Sequence, residues 1–296
     1  MAGIRFEEGG VSAMTALVRV DSPASGIARI VLNRPEQRNA QNPAMLYELD
    51  EAFFTAAGDP EVKVIVLAAD GEDFSAGHDL KDRESAIPGP AAATMESDFA
   101  AGGVEGRHAF ECEAYLGLCR RWRDIPKPTI AQAHGRCIAG ALMLLWPMDL
   151  IVAGETTEFS DPVVAFGLNG AEYFSHAWEV GPRKAKEMLF TGEPVSAQDA
   201  LRLGMVNHVV PDNELSYFTI DLATKIAQMP AYGLRLAKSS VNQSLIAQGH
   251  EAALESAFGW HVAGHANNLA RYNDIIDPDG IDVIREISRR SSAHDQ

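Results

Sequence analysis

Two short stretches decide the fold: Phe74-Ser75-Ala76-Gly77-His78-Asp79-Leu80, and His134-Gly135-Arg136-Cys137-Ile138-Ala139-Gly140-Ala141-Leu142. Each follows a run of strand character, Val62 to Ala68 before the first and Thr129 to His134 within and before the second. Val62-Lys-Val-Ile-Val-Leu-Ala68 is almost continuously apolar, as expected of a strand covered on both faces. Each stretch then passes through small residues, and a helix is expected after it. Small residues allow close approach to the backbone. The N–H groups that open a helix lack partners inside it and favour negative charge. One N–H from each turn would make a donor pair for the oxyanion of an acyl thioester. Spacing alone favours ordinary strand-to-helix turns.

Outward from these stretches, Ala16–Val20 and Gly26–Leu32 read as an antiparallel hairpin. Asn42 is placed to cap a helix whose first position is Pro43. Met45, Leu46, Leu49, Phe53 and Phe54 recur at helical spacing, so the helix covers residues 43–57. Residues 84–106 are rich in Ala, Gly, Pro and Ser and predict a long surface loop, with a helix from Arg107 to Trp122 after it. Gly135 to Gly140 is expected as a turn, Ala141–Trp146 as a buried helix and Leu150–Ala153 as a strand. From Ala171 the pattern is helical over 171–179, 183–190, 197–203, 214–228, 232–246, 251–271 and 280–290, with a short strand at Met205–Val210. The fold class is therefore α/β, with a core over 1–210 and a helical C-terminal region over 211–296. No internal repeat is present.

The 296 residues carry 25 Lys and Arg against 41 Asp and Glu, a net charge of −16. That balance argues against nucleic acid as a partner, since phosphate contacts need clustered cations. Cys112, Cys119 and Cys137 are too few for a disulfide scaffold and fit no zinc spacing. A reduced, cytoplasmic setting follows. Met1 to Thr15 has no apolar core of the signal-peptide kind. The most apolar segment, Cys137 to Gly154, is broken by Pro147 and Asp149, so no membrane span is expected.

Other motifs are weaker. Gly102, Gly103 and Gly106 lack the Lys-Ser/Thr of a phosphate loop. Ser75 lacks the first glycine of a nucleophile elbow. His261 and His265 lie four apart on an expected helix and would share a face, but no third metal ligand is evident, so exposed or interface histidines are the simpler expectation. Glu111, Glu113 and His108 follow the long loop and could reach over the site, though a solvated helix face is the simpler expectation.

With their flanks, the two stretches resemble the crotonase (enoyl-CoA hydratase/isomerase) superfamily. Ile30-Val-Leu-Asn33-Arg-Pro35-Glu-Gln-Arg38-Asn39-Ala40 is similar to its first signature, and Val64-Ile-Val-Leu67 through Phe74–Lys81 to its second. Lys127-Pro128 through Gly135, Ala139-Gly140-Ala141 and Met148–Ala153 resemble the third, and Ala185–Gly192 through Gly204-Met-Val-Asn207 and Val210 the fourth. The likeness spans roughly residues 16 to 247.

The resemblance implies a crotonase-like spiral of ββα units and a helical C-terminal region that builds homotrimers or dimers of trimers. The substrate would be a coenzyme A thioester, with no separate cofactor and no metal. Its carbonyl would sit between the N–H groups of His78 and Gly140. Ser75, Ala76, Gly77, Asp79 and Leu80 would line the CoA path, and Gln37, Arg38 and Ala40 its entrance. Arg289 or Arg290 is the candidate for the ribose phosphate. The superfamily's hydratases use two glutamates, and at those two positions this chain has Met143 and Val163, which cannot accept a proton. Classical hydration is therefore in question. Glu172 is the first candidate to replace them, near the start of an expected helix. Burial would raise its pKa and the helix start would lower it. Asp161 and His78 are the next candidates. An isomerase, a hydrolase, a carbon–carbon lyase or a silent acyl-CoA binder remain the alternatives.

Overall fold

The computed structural model describes residues 16–82, 94–96 and 98–294. The expectations for Met1 to Thr15 and for most of the 84–106 loop lie outside these residues. Val18–Ala24 (β1) and Ile27–Leu32 (β2) pair antiparallel, as expected. Pro43–Gly58 (α1) is capped by Asn42, whose Oδ1 accepts the Met45 N–H at 3.0 Å. Val64–Ala69 (β3) runs parallel to β2.

Glu105–Glu111 (α2) passes through a π-helical turn, Cys112–Gly117, into Leu118–Arg123 (α3). Thr129–Ala133 (β4), Arg136–Ile138 (β5), Gly140–Leu145 (α4), Leu150–Gly154 (β6) and Glu158–Ser160 (β7) follow. A 3-10 turn at Pro162–Phe166 leads to His176–Glu179 (α5) and Gly181–Thr191 (α6). Val195–Ser196 (β8), Ala197–Leu203 (α7) and His208–Val210 (β9) precede four helices: Leu215–Ala227 (α8), Ala231–Ala247 (α9), His250–Tyr272 (α10) and Gly280–His294 (α11).

The strands form two sheets, one ordered β1-β2-β3-β4-β6-β9 and the other β5-β7-β8. All pairs in the larger sheet beyond the hairpin are parallel. The continuous apolar run in β3 now has its reason. Ile65 and Leu67 join the main core with Leu46, Leu49 and Phe53 of α1 and Leu118 and Trp122 of α3. Val64 and Val66 point the other way, onto Leu215, Ala223 and Ala227 of α8. Burying each such side chain is worth about 1.5–3 kcal/mol.

Three expectations need correction. Gly135–Gly140 is not only a turn, because Arg136–Ile138 is a strand of the second sheet. Residues 171–175 are not helical, and α5 begins at His176. No helix follows the first turn directly among the described residues; the chain from Leu80 to Asp82 is irregular.

Candidate active site

Backbone pairing brings the two decisive stretches together. Phe74 N–H donates to His134 O at 3.0 Å, and Ile138 N–H donates to Ser75 O at 3.1 Å. On the other side, Gln41 N–H donates to Gly77 O at 2.8 Å and Asp79 N–H to Gln41 O at 2.9 Å. These bonds use the groups flanking His78 and leave its own N–H on the opposite side of the chain. Gly77 has φ 85°, and a Cβ there would stand 2.7 Å from Ile138 O and 3.2 Å from Gly140 N. Only glycine permits that approach. Ala139 is held at φ 50°, a left-handed conformation unusual for alanine, and Gly140 N–H then opens α4. Neither the Gly140 nor the His78 N–H has a backbone partner among the described residues.

Both residues line a cavity of about 490 Å³. Ala76, Asp79 and Leu80 line it too, with Val163, Phe166 and Leu168 as an apolar wall. Ile275, Ile276, Ile281, Ile284 and Arg285, from the end of the chain, complete it. The residues expected for the site divide accordingly. Ser75 is buried beside the cavity, its hydroxyl donating to Asn39 O at 2.8 Å and accepting from Gln41 Nε2 at 3.1 Å. Gln37 and Arg38 are exposed and, like Ala40, outside the lining, as are Arg289 and Arg290. Met143 is 1% exposed and packs in the core, whereas Val163 faces the cavity.

Asp161 does not reach the cavity. Its Oδ1 accepts from Val163 N–H at 3.1 Å, and its Oδ2 accepts from Ala171 N–H at 2.7 Å and contacts His176 Nε2 at 2.7 Å. Fully buried and fully engaged, it caps the 3-10 turn.

Glu172 does line the cavity, 4% exposed. Its Oε2 lies 3.1 Å from His78 Nε2, and its Oε1 lies 3.5 Å from His261 Nε2. The His78 ring stacks on Tyr115, centroids 4.1 Å apart. Burial pushes the Glu172 pKa up, but the two imidazoles and the His78 hydrogen bond outweigh it and hold it below the ordinary glutamate value. The expected helix start contributes nothing, since Glu172 is not in a helix.

Sequence reasoning missed much of the wall behind Glu172. Glu111 and Glu113 are not solvated; both are fully buried. Glu113 accepts from Thr94 N–H at 2.6 Å, while Glu111 pairs with Arg107 at 2.5 Å and His265 at 3.0 Å. His261 and His265 are buried as well, 1% and 2% exposed. Glu111 and Tyr115 stand four positions apart at the start of the π-helical turn and both face inward. Glu111, His261 and His265 offer ligating atoms within 4.8 Å of one another.

The sequence family described as enoyl-CoA hydratase/isomerase matches residues 22–259. A Mycobacterium tuberculosis protein, EchA13, named an enoyl-CoA hydratase, is 47% identical over 247 residues, 81% of this chain and 78% of its own. The human enoyl-CoA hydratase domain-containing protein 3, mitochondrial, is 35% identical over 223 residues, 74% of this chain and 68% of its own. The crystal structure of a Mycobacterium smegmatis protein named an enoyl-CoA hydratase superposes with a TM-score of 0.80 at 46% identity, covering 89% of this chain and 100% of its own. An enoyl-CoA hydratase/isomerase from Xanthobacter autotrophicus gives 0.76 at 30% identity, covering 94% and 98%. With the two paired turns and the mostly parallel sheet, these likenesses show that the chain belongs to the crotonase superfamily, as an acyl-CoA enzyme of the enoyl-CoA hydratase/isomerase family.

Proposed function

We propose that the protein forms an enolate from an enoyl-CoA thioester, with Glu172 moving the proton. The observation that carries this is the Glu172–His78 contact at 3.1 Å in the wall of the cavity that also presents Gly140. The thioester oxygen lies between the N–H groups of His78 and Gly140, where two fixed donors stabilise negative charge as it develops. Glu172, ionised at neutral pH, accepts a proton, and the His78 ring holds the carboxylate in place. In hydration, the oxygen of water bonds to Cβ and its proton passes to Glu172. The alkene electron pair moves to the thioester oxygen, and collapse of the enolate takes a proton back at Cα.

Isomerisation is favoured as a second reading by the place of Met143 in the core. One carboxylate suffices to carry a proton between Cα and Cγ, whereas the usual hydration uses two. The exposed Tyr217, Tyr232, Val241 and Trp260 of α8 to α10 support a trimer or a dimer of trimers. Cytoplasmic placement belongs to the same proposal, supported by the bacterial relative and by three unpaired cysteines. Among the described residues no helix is long and apolar enough to cross a membrane. The test is hydration of crotonyl-CoA and isomerisation of a 3-enoyl-CoA, by wild type and Glu172→Gln. Loss of turnover with CoA-ester binding kept supports the proposal; an inert wild type that binds CoA esters overturns it.

A further inference from the structure

Behind Glu172, His261 and His265 stand one turn apart on α10. Each ring contacts a backbone carbonyl through Nδ1, His261 with Gly170 O at 3.0 Å and His265 with Ile275 O at 2.7 Å. A carbonyl oxygen only accepts, so both Nδ1 atoms carry hydrogen. The Nε2 atoms are thereby turned toward the carboxylate of Glu111. Arg107 and His265 both engage Glu111 Oε1, while Oε2 has no hydrogen-bond partner. His261 Nε2 has none either; it faces Glu111 Oε2 at 3.9 Å and Glu172 Oε1 at 3.5 Å. A neutral His261 ring therefore directs a lone pair at two carboxylate oxygens inside the protein. A proton on Nε2 or a metal ion among the three atoms satisfies them.

We infer that Glu111, His261 and His265 form a binding site for one divalent transition-metal ion on the wall of the acyl-CoA cavity. Two imidazoles and one glutamate are a donor set of catalytic zinc sites. Imidazoles oriented by backbone carbonyls, and a carboxylate oriented by Arg107, are the outer contacts that such ligands need. The ligating atoms lie within 4.8 Å of one another. A tetrahedral ion holds its ligands about 3.3 Å apart, so closing the site takes roughly 1 Å of side-chain rotation. The charges of Glu111 and Glu172 offset the repulsion from Arg107. This site departs from the expectation that no metal is involved, and it does not depend on the proton-transfer proposal.

The experiment uses untagged, EDTA-treated protein with no substrate, titrated with zinc chloride at pH 7.5 and followed by calorimetry and bound-metal analysis. The expected result is one equivalent per chain, weakened at least 50-fold in His261→Ala and in His265→Ala. Cobalt(II) added to the wild type should give the intense visible absorption of a four-coordinate ion, a readout that needs no variant to fold. Absence of stoichiometric uptake, or uptake unchanged in both variants, overturns the inference and leaves a proton as the cation between these groups.

Discussion

Glu172 Oε2 sits 3.1 Å from His78 Nε2, although the two residues are 94 positions apart in the chain. The contact joins a candidate base to the residue whose backbone N–H is proposed to hold the thioester oxygen. Glu172→Gln keeps the shape and removes the proton acceptor. Turnover should fall by roughly 10²–10⁴-fold with little change in CoA-ester binding. Steady-state kinetics with a separate binding titration check this, and unchanged kcat would remove Glu172 from the chemistry.

Gly77→Ala should destabilise the protein by at least about 2 kcal/mol. The left-handed backbone costs an alanine ~1–2 kcal/mol, and the new Cβ would stand 2.7 Å from Ile138 O. Urea melts of the two proteins measure the difference. A neutral substitution would mean that the approach of the two turns is looser than described.

Asp161→Asn separates structure from catalysis. An amide has one accepting oxygen, so either Val163 N–H or the Ala171 N–H and His176 pair meets an NH2 group, and the loss is about 2–3 kcal/mol of stability. The folded variant should keep kcat within a few-fold. A selective collapse of kcat with full stability would return Asp161 to the list of catalytic candidates.

Placing a carboxylate at Met143 should not improve hydration. Met143 is 1% exposed among apolar neighbours, and Met143→Glu buries a carboxyl there at a cost of roughly 3 kcal/mol or more. Val163→Glu, on the cavity wall, should be tolerated. Thermal melts rank the two; a stable and faster Met143→Glu would refute this.

Asp73 predicts the acid limb of stability. Burial raises its pKa, but hydrogen bonds from the Arg136 side chain and N–H outweigh that and hold it below 3.8. A carboxylate depressed in the folded state adds stability that is present above the unfolded value and lost as pH falls through the folded one. Asp73→Asn should therefore cost about 1–2 kcal/mol at pH 7, discounted for a half-exposed Arg136. The deficit should shrink below pH 3.8. A deficit independent of pH would exclude the ion pair as its cause.

The sequence made some of this legible because the signals were local. The Asn42-Pro43 cap, the hairpin and the continuous apolar run of β3 each rest on neighbours a few positions apart. The second sheet was hidden because β5, β7 and β8 span only three, three and two residues, too short for any period to show. The His261–His265 pair announced a shared helix face but not that the face is buried. Its partner Glu111 lies 154 positions before His265, and no spacing rule links them. Val163 and Met143 were alike as apolar substitutes, yet one faces the cavity and the other the core.

The cavity takes Gln41 and His78 from the first third of the chain and Ile281, Ile284 and Arg285 from α11. During synthesis the turns that offer the two amides emerge long before the helix that closes the wall. A nascent chain can therefore build its sheet, but it has no enclosed substrate cavity until residue 285 has left the ribosome. A chain ended between α10 and α11 would keep both sheets and the paired turns but leave the cleft open where Ile281, Ile284 and Arg285 close it.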